Sequence, residues 1–243
     1  MFNTFKFILP LLLLSACSVG AGAGPNAAAP SQNATLNSKN PFVKVDSEGN
    51  TQLVDNLLNQ ALTQMPKSDL SEAEKAGLLQ MREEEKLAQE VYAVLAASWS
   101  SQSQTFQNIS GSEATHTESV RQLLERYQVV DPALKEAGKF TAPALQSLYD
   151  TLVAQGKASY LAALQVGLEI EELDLADLKT QLGAVDQDDI RLVYQELERG
   201  SRNHLRAFSK ALKAAGGTYT AKHLSQAEFD QIAQSAVERG SGG

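Results

Sequence analysis

The stretch ISGSEATHTESVRQLLERY, residues 109–127, decides how the rest of the chain is read. At helical spacing Ile109, Glu113, His116, Val120, Leu123 and Tyr127 fall on one face. An acid and an imidazole three residues apart therefore stand side by side on the face that should be buried. Ser110 with Glu113 also has the form of a capping box, which predicts that this helix opens at Ser110 and runs to about Tyr127.

Three other long helical patterns carry the same anomaly. Ser71 with Glu74 opens one that runs to about Trp99, with the stripe Leu78, Met81, Glu85, Ala88, Tyr92, Leu95, Trp99. Glu85 interrupts that apolar face, whereas Glu83 and Glu84 lie off it. A third pattern runs from about Ser159 to Leu182 and stops at Gly183. Its stripe is Leu161, Leu164, Leu168, Glu171, Leu175, Leu178, Leu182, with Glu169 and Glu172 out of register. Asp186 with Asp188 and Asp189 opens the fourth, which ends at Gly216 and Gly217. Its stripe is Ile190, Val193, Leu197, Ser201, His204, Phe208, Leu212, with histidine at a core position and Ser201 one turn before it.

An unpaired carboxylate taken out of water costs several kcal/mol, so mid-stripe acids need compensation. Glu85, Glu113, His116, Glu171 and His204 converging in one core suit one or two divalent metal ions. Carboxylate and imidazole ligands without thiolate suit iron or manganese, and zinc also accepts them. Tyr92 and Asp174 lie on or near the same faces as candidate partners of the ligands. His223 falls outside the pattern and reads as a surface residue.

Between the second and third long helices lie about thirty residues with Pro132, Pro143 and a short helix ending near Gly156. A stretch that long has to cross the molecule. A last helix follows Ser225 and Glu228 and is expected to cover an end of the bundle. The fold class expected is all-α: a four-helix bundle with a long crossover between helices two and three and an extra C-terminal helix.

These elements resemble the ferritin-like di-iron superfamily, in which two helices each give a Glu and two each give an E-x-x-H pair. The resemblance covers about Ser71 to Gly216. EKLAQEVY at 85–92 resembles the superfamily's ligand Glu with Ala three on and Tyr seven on, EATH at 113–116 its first E-x-x-H, and EELD at 171–174 its third-helix ligand segment. GSRNHLRAF at 200–208 agrees in His204, but Ser201 stands where the second pair has its Glu. MREEEKLA, EELD and GSRNHLRAF together are similar to an uncharacterised bacterial and archaeal ferritin-like family. The resemblance implies metal ligation by Glu85, Glu113, His116, Glu171 and His204. With three carboxylates facing two ferrous ions, it implies a second ion that is weakly held, absent, or completed by water or an exogenous anion.

The ends of the chain place it in the cell. Lys6, an apolar run from Phe7 to Leu14 and then Ser15-Ala16-Cys17 have the layout of an export signal, too short to span a bilayer. LSAC at 14–17 resembles the lipobox of bacterial lipoproteins, which implies cleavage after residue 16, a lipid on Cys17 and, with Ser18 rather than Asp next, an outer-membrane lipoprotein facing the periplasm or the cell surface. Residues 17–68, rich in Gly, Ala, Ser, Asn and Pro, read as a flexible tether. Leu53, Val54, Leu57, Leu58, Ala61, Leu62 and Met65 within it have helical spacing, which fits a short helix docked on the bundle or on lipid. Residues 69–243 form the helical domain.

With one cysteine in 243 residues, the folded part has neither a disulfide nor a thiolate metal site, nor a rubredoxin-type electron donor. A formal net charge of −8 and the lack of clustered Lys and Arg argue against a nucleic-acid partner. Two functions fit: a metal-dependent redox protein acting on oxygen, peroxide or ferrous iron, with a small oxidant or metal ion as substrate, or a helical scaffold lipoprotein with a structural or zinc-filled polar core.

Overall fold

The computed structural model of the chain describes residues 42–46 and 50–239; the expected export signal, Cys17 and most of the expected tether lie outside them. A short antiparallel hairpin, β1 (Val43–Val45) and β2 (Thr51–Leu53), is followed by α1 (Asp55–Thr63), α2 (Glu72–Trp99), α3 (Thr105–Arg126), α4 (Pro143–Gly156), α5 (Tyr160–Ala184), α6 (Asp188–Ala214) and α7 (Gln226–Gln234). Among the described residues, no helix is long and apolar enough to cross a membrane.

The four long helices close a ring, with α2 against α3 and α5, and α6 against α5 and α3. Side-chain caps fix two of their four starts. Ser71 and Glu74 form a reciprocal capping box on α2, and Ser159 Oγ accepts from Ala162 N at the start of α5. The expected capping box at Ser110 does not form. α3 begins at Thr105, Ser110 lies inside it, and Ser110 Oγ donates to Gln89 O instead. The helix extends back because Phe106 and Ile109, both fully buried, add a turn of apolar face. Two other boundaries shift slightly: α5 passes through Gly183 to Ala184, and α6 starts after Gln187 without a side-chain cap. Leu161, expected in the core, is 39% exposed at the first turn of α5.

The hairpin departs from the tether reading. Phe42 and Leu53 are buried, Ser112 Oγ on α3 donates to Thr51 O, and Leu53 N donates to Thr115 Oγ1 (2.9 Å). Asn203 on α6 donates to Thr51 Oγ1 (2.9 Å). α1 follows with Leu58 and Leu62 buried, so the helical pattern inside the expected tether is a helix docked on the bundle.

The crossover from 127 to 159 is pinned to the outer face of α2. Glu83 Oε1 accepts from Thr141 N (2.6 Å), Glu90 Oε2 from Gly138 N (2.7 Å), and Lys86 Nζ donates to Lys139 O (3.0 Å). Glu83 is buried although it lies off the apolar stripe, because the crossover covers it. Glu172, also out of register, is fully buried under the C-terminal segment. It accepts from Tyr219 OH (2.6 Å) and from the backbone N–H of Lys222, His223 and Leu224. That segment runs alongside α5 and α6 rather than over an end: Lys179 pairs with Glu228, Arg206 donates to Ile232 O, and Arg202 and Arg206 hold Glu238. His223 is exposed.

Candidate metal centre

Midway along the ring the four stripes turn polar at one level. Glu85, Glu113, His116, Glu171 and His204 are each at most 2% exposed. Glu113 is central to them. Its Oε2 lies 2.9 Å from His116 Nδ1, which is also 3.5 Å from Glu85 Oε2. Its Oε1 lies 2.7 Å from His204 Nδ1, which is also 3.6 Å from Glu171 Oε2. Two similar half-sites thus share one carboxylate, and the imidazole rings lie nearly parallel with centroids 5.4 Å apart.

The orientation of His204 is built from outside the ring. Ser112 Oγ gives its only hydrogen to Thr51 O, so its bond with His204 Nε2 (2.9 Å) takes the proton from the ring. Nε2 therefore carries hydrogen, and Nδ1 is the nitrogen turned toward Glu113 and Glu171. Although 2.7 Å from Glu113 Oε1, Nδ1 is out of line for a hydrogen bond and has no such partner. Glu85 Oε1 and His116 Nε2 are likewise buried without one. On Glu171, Tyr92 OH donates to Oε1 (2.6 Å), leaving Oε2 to face His204. His116 lies against Gly200, where a Cβ would come within 2.5 Å of its Cε1.

The electrostatics favour positive charge at this level. Burial by itself would drive both imidazoles toward neutrality, but Glu113 and Glu171 hold His204 at about 9, and Glu113 and Glu85 hold His116 well above its ordinary value. Burial pushes Glu85 up to about 8 and also raises Glu171. For Glu113 the two histidines outweigh burial and keep the carboxyl well below its usual range. Protons or a cation can meet this demand, and Glu113, His116 and His204 offer ligand atoms within 4.8 Å of one another, so the group can hold a metal ion. Glu85 Oε1 and His204 Nδ1, buried in this layer without hydrogen-bond partners, fit such an ion.

All five expected ligand residues meet in this layer. Tyr92 touches it through Glu171, and Ser201 Oγ bonds Asp174 Oδ2. Asp174 and Glu84 are only partly covered as residues, and both line a cleft that leads from the site out between α2, α4 and α5, past Asp177 and Leu148. Burial and the neighbouring carboxylate of Asp177 raise Glu84 well above its ordinary value. Sequence reasoning missed Ser112 and Thr51, whose hydroxyl and carbonyl carry no signature, and Gly200, whose role lies in the close approach of the His116 ring.

Relatives of the chain share this region. A 180-residue alignment with the uncharacterized protein MJ0754 of Methanocaldococcus jannaschii has 44% identity and covers 74% of this chain and 96% of that protein. The crystal structure of hypothetical protein MJ0754 from Methanococcus jannaschii DSM 2661 superposes with a TM-score of 0.69 at 44% identity, covering 72% of this chain and 99% of that one. Residues 74–236, which contain α2 through α7 except the first two residues of α2, match the family described as "Uncharacterized protein domain (DUF2202)". The chain belongs to the DUF2202 family.

Proposed function

We propose that this protein is a membrane-anchored, ferritin-like metal-binding protein whose centre takes iron and acts in oxidase or peroxidase chemistry or in the oxidation of ferrous iron. Manganese and zinc are chemically compatible with the same ligands. The observation that carries the reading is the position of Glu113, one carboxylate shared between two buried imidazoles whose outer sides meet Glu85 and Glu171. Iron held by these residues supplies one-electron chemistry toward oxygen or peroxide. The chain's own residues aim and shield the site. Ser112 fixes the tautomer of His204, Tyr92 holds one oxygen of Glu171, and Leu87, Ala88 and Leu148 line the approach. Electrons come from a separate donor or from the substrate, since Cys17 is the only thiol.

The anchoring part of the proposal places a lipid on Cys17 and the helical domain at the outer membrane, facing the periplasm or the cell surface. Replacing Cys17 with Ser is expected to stop lipid attachment and leave the precursor unprocessed. Unchanged mature mass and detergent partitioning would remove the anchor from the proposal.

A second reading, a helical scaffold with a structural polar core, is favoured by the same 2.7–2.9 Å approaches of both imidazoles to Glu113, which form an ion-pair network if both rings carry protons. The test is metal content and thermal melting of the purified full-length chain, with and without chelator, beside Glu113→Ala/His116→Ala. Wild type is expected to carry metal, to develop an absorption band after ferrous loading in air, and to lose about 3 kcal/mol on chelation from a hundredfold excess over the dissociation constant. The double variant is expected to be metal-free and indifferent to chelator. A wild type that is metal-free, gains nothing from ferrous, manganous or zinc ions and melts identically with chelator leaves the scaffold reading.

A further inference from the structure

We infer that Asp174 is the fourth carboxylate of a second cation position in this centre, replacing from α5 the acid that Ser201 lacks on α6. The inference rests on the metal-binding reading above. Ser201 is three residues before His204, in the place corresponding to Glu113 before His116, so α6 brings an imidazole to the layer without an acid beside it. Its hydroxyl reaches across to Asp174 Oδ2, so that carboxylate occupies the gap. Asp174 stands three residues after Glu171, one helical turn on, and both line the cleft that Glu85 and Glu113 also line.

The charged groups that act most strongly on Asp174 are Glu85, Glu171 and Glu113, all acids. Ser201 has one hydrogen for two acceptors, Asp174 Oδ2 and Leu197 O at 3.0 Å, and so compensates the carboxylate only in part. Glu85, 2% exposed, lines the same cleft, and its Oε1 is buried with no hydrogen-bond partner. The charge count agrees. Two divalent ions bring four positive charges, Glu85, Glu113 and Glu171 neutralise three, and Asp174 supplies the fourth with both imidazoles neutral. Ser201 is then a positioning residue, turning Asp174 inward.

Metal stoichiometry of the purified full-length chain, loaded with manganese and measured by elemental mass spectrometry, tests this. Wild type is expected to hold two ions, Asp174→Asn one, and Asp174→Asn/Ser201→Glu, which returns the acid to α6, two again. Diffraction from manganese-loaded wild-type crystals removes any dependence on the variants folding: an anomalous peak bonded to an Asp174 oxygen is expected. Two ions in Asp174→Asn, or two anomalous peaks with neither on Asp174, would overturn the inference and leave the metal centre standing. One ion in wild type would do the same. No ion in wild type after loading with manganese, ferrous iron or zinc removes both this inference and the metal-binding reading.

Discussion

The same four helices are packed in two different ways along their length. On one side of the polar layer the interior is aromatic and aliphatic: Tyr92, Phe106, Leu164, Leu168 and Phe208 fill it with rings and branched chains. On the other side Leu78, Met81, Val120, Leu123, Ile190, Val193 and Leu197 do so, sealed by Phe42, Leu58 and Leu62 from the hairpin and α1. Between them the interior consists of carboxylates and imidazoles. The apolar layers supply the free energy that holds the helices together. The polar layer draws on it, because each ionisable group there gives up hydration for partners that leave buried atoms unsatisfied. Mutations should therefore separate by layer, with stability failing in the apolar ends and metal binding in the middle.

Phe208→Ala tests that separation with the largest expected effect. Phe208 is fully buried, its ring centroid is 5.2 Å from that of Tyr92 and 5.4 Å from that of Phe106, and Gly167 leaves room for it on α5. Truncation is expected to cost about 3–5 kcal/mol in denaturant unfolding. The ligands stay in place, so the folded fraction should keep the metal content of wild type even though His204 is only one turn away. Loss of metal from a still-folded Phe208→Ala would show that the two layers are not independent.

Most of the site was legible in the sequence for the reason that makes it costly. An acid or imidazole in the middle of a periodic apolar stripe breaks a pattern, and Glu85, Glu113, His116, Glu171 and His204 all did so. What escaped were contacts made across the period. Glu83, Glu84 and Glu172 lie off the stripes, yet the crossover covers Glu83, the C-terminal segment covers Glu172, and Glu84 lines the cleft beside Asp177. Ser110 and Glu113 had the spacing of a helix start, but the apolar turn before them, with Phe106 and Ile109 buried, carries the helix back to Thr105. The hairpin was invisible because three-residue strands in a Gly- and Ser-rich segment give too short a pattern to read. Its burial comes from Ser112, Thr115 and Asn203, which are distant in sequence.

Two glycines sharpen the comparison at a smaller scale. Gly200 faces the polar layer, and a Cβ there would meet His116 Cε1 at 2.5 Å and Nε2 at 2.8 Å. Glu113 holds that ring from its other side, so Gly200→Ala is expected to push it from its place and lower metal affinity. Overpacking of this kind costs about 1–3 kcal/mol, offset in part by the roughly 1 kcal/mol that alanine gains over glycine in a helix. Gly183 lies in the last turn of α5, far from the layer, and a Cβ there would meet nothing within 4 Å. Gly183→Ala should be neutral or stabilising by up to about 1 kcal/mol, with unchanged metal binding. Equal metal affinity in both variants would show that the close approach at Gly200 does not position His116.

The smallest effect belongs to the surface, where charge holds α7 and the residues after it against α6. Burial pushes the Glu238 carboxyl up, but bonds from Arg202 and Arg206 more than reverse this and leave it below its ordinary value. A carboxylate whose folded pKa is depressed contributes stability above its unfolded value of about 4.3, and that contribution is lost as pH falls through the folded pKa. The contact should therefore be intact at neutral pH and loosen as acid protonates Glu238. Hydrogen exchange of the backbone from 225 to 239, followed from pH 6 down to about 3 with correction for the intrinsic rate, is expected to show protection falling there before it falls in α2 or α3. Glu238→Gln should expose the segment at neutral pH and flatten its acid response. Salt separates this contact from the core, since a half-exposed ion pair is screened and the apolar packing of Phe229 against Tyr219 is not. At neutral pH, added salt should therefore loosen the segment around Glu238 in wild type more than in Glu238→Gln, while leaving the turn around Phe229 protected.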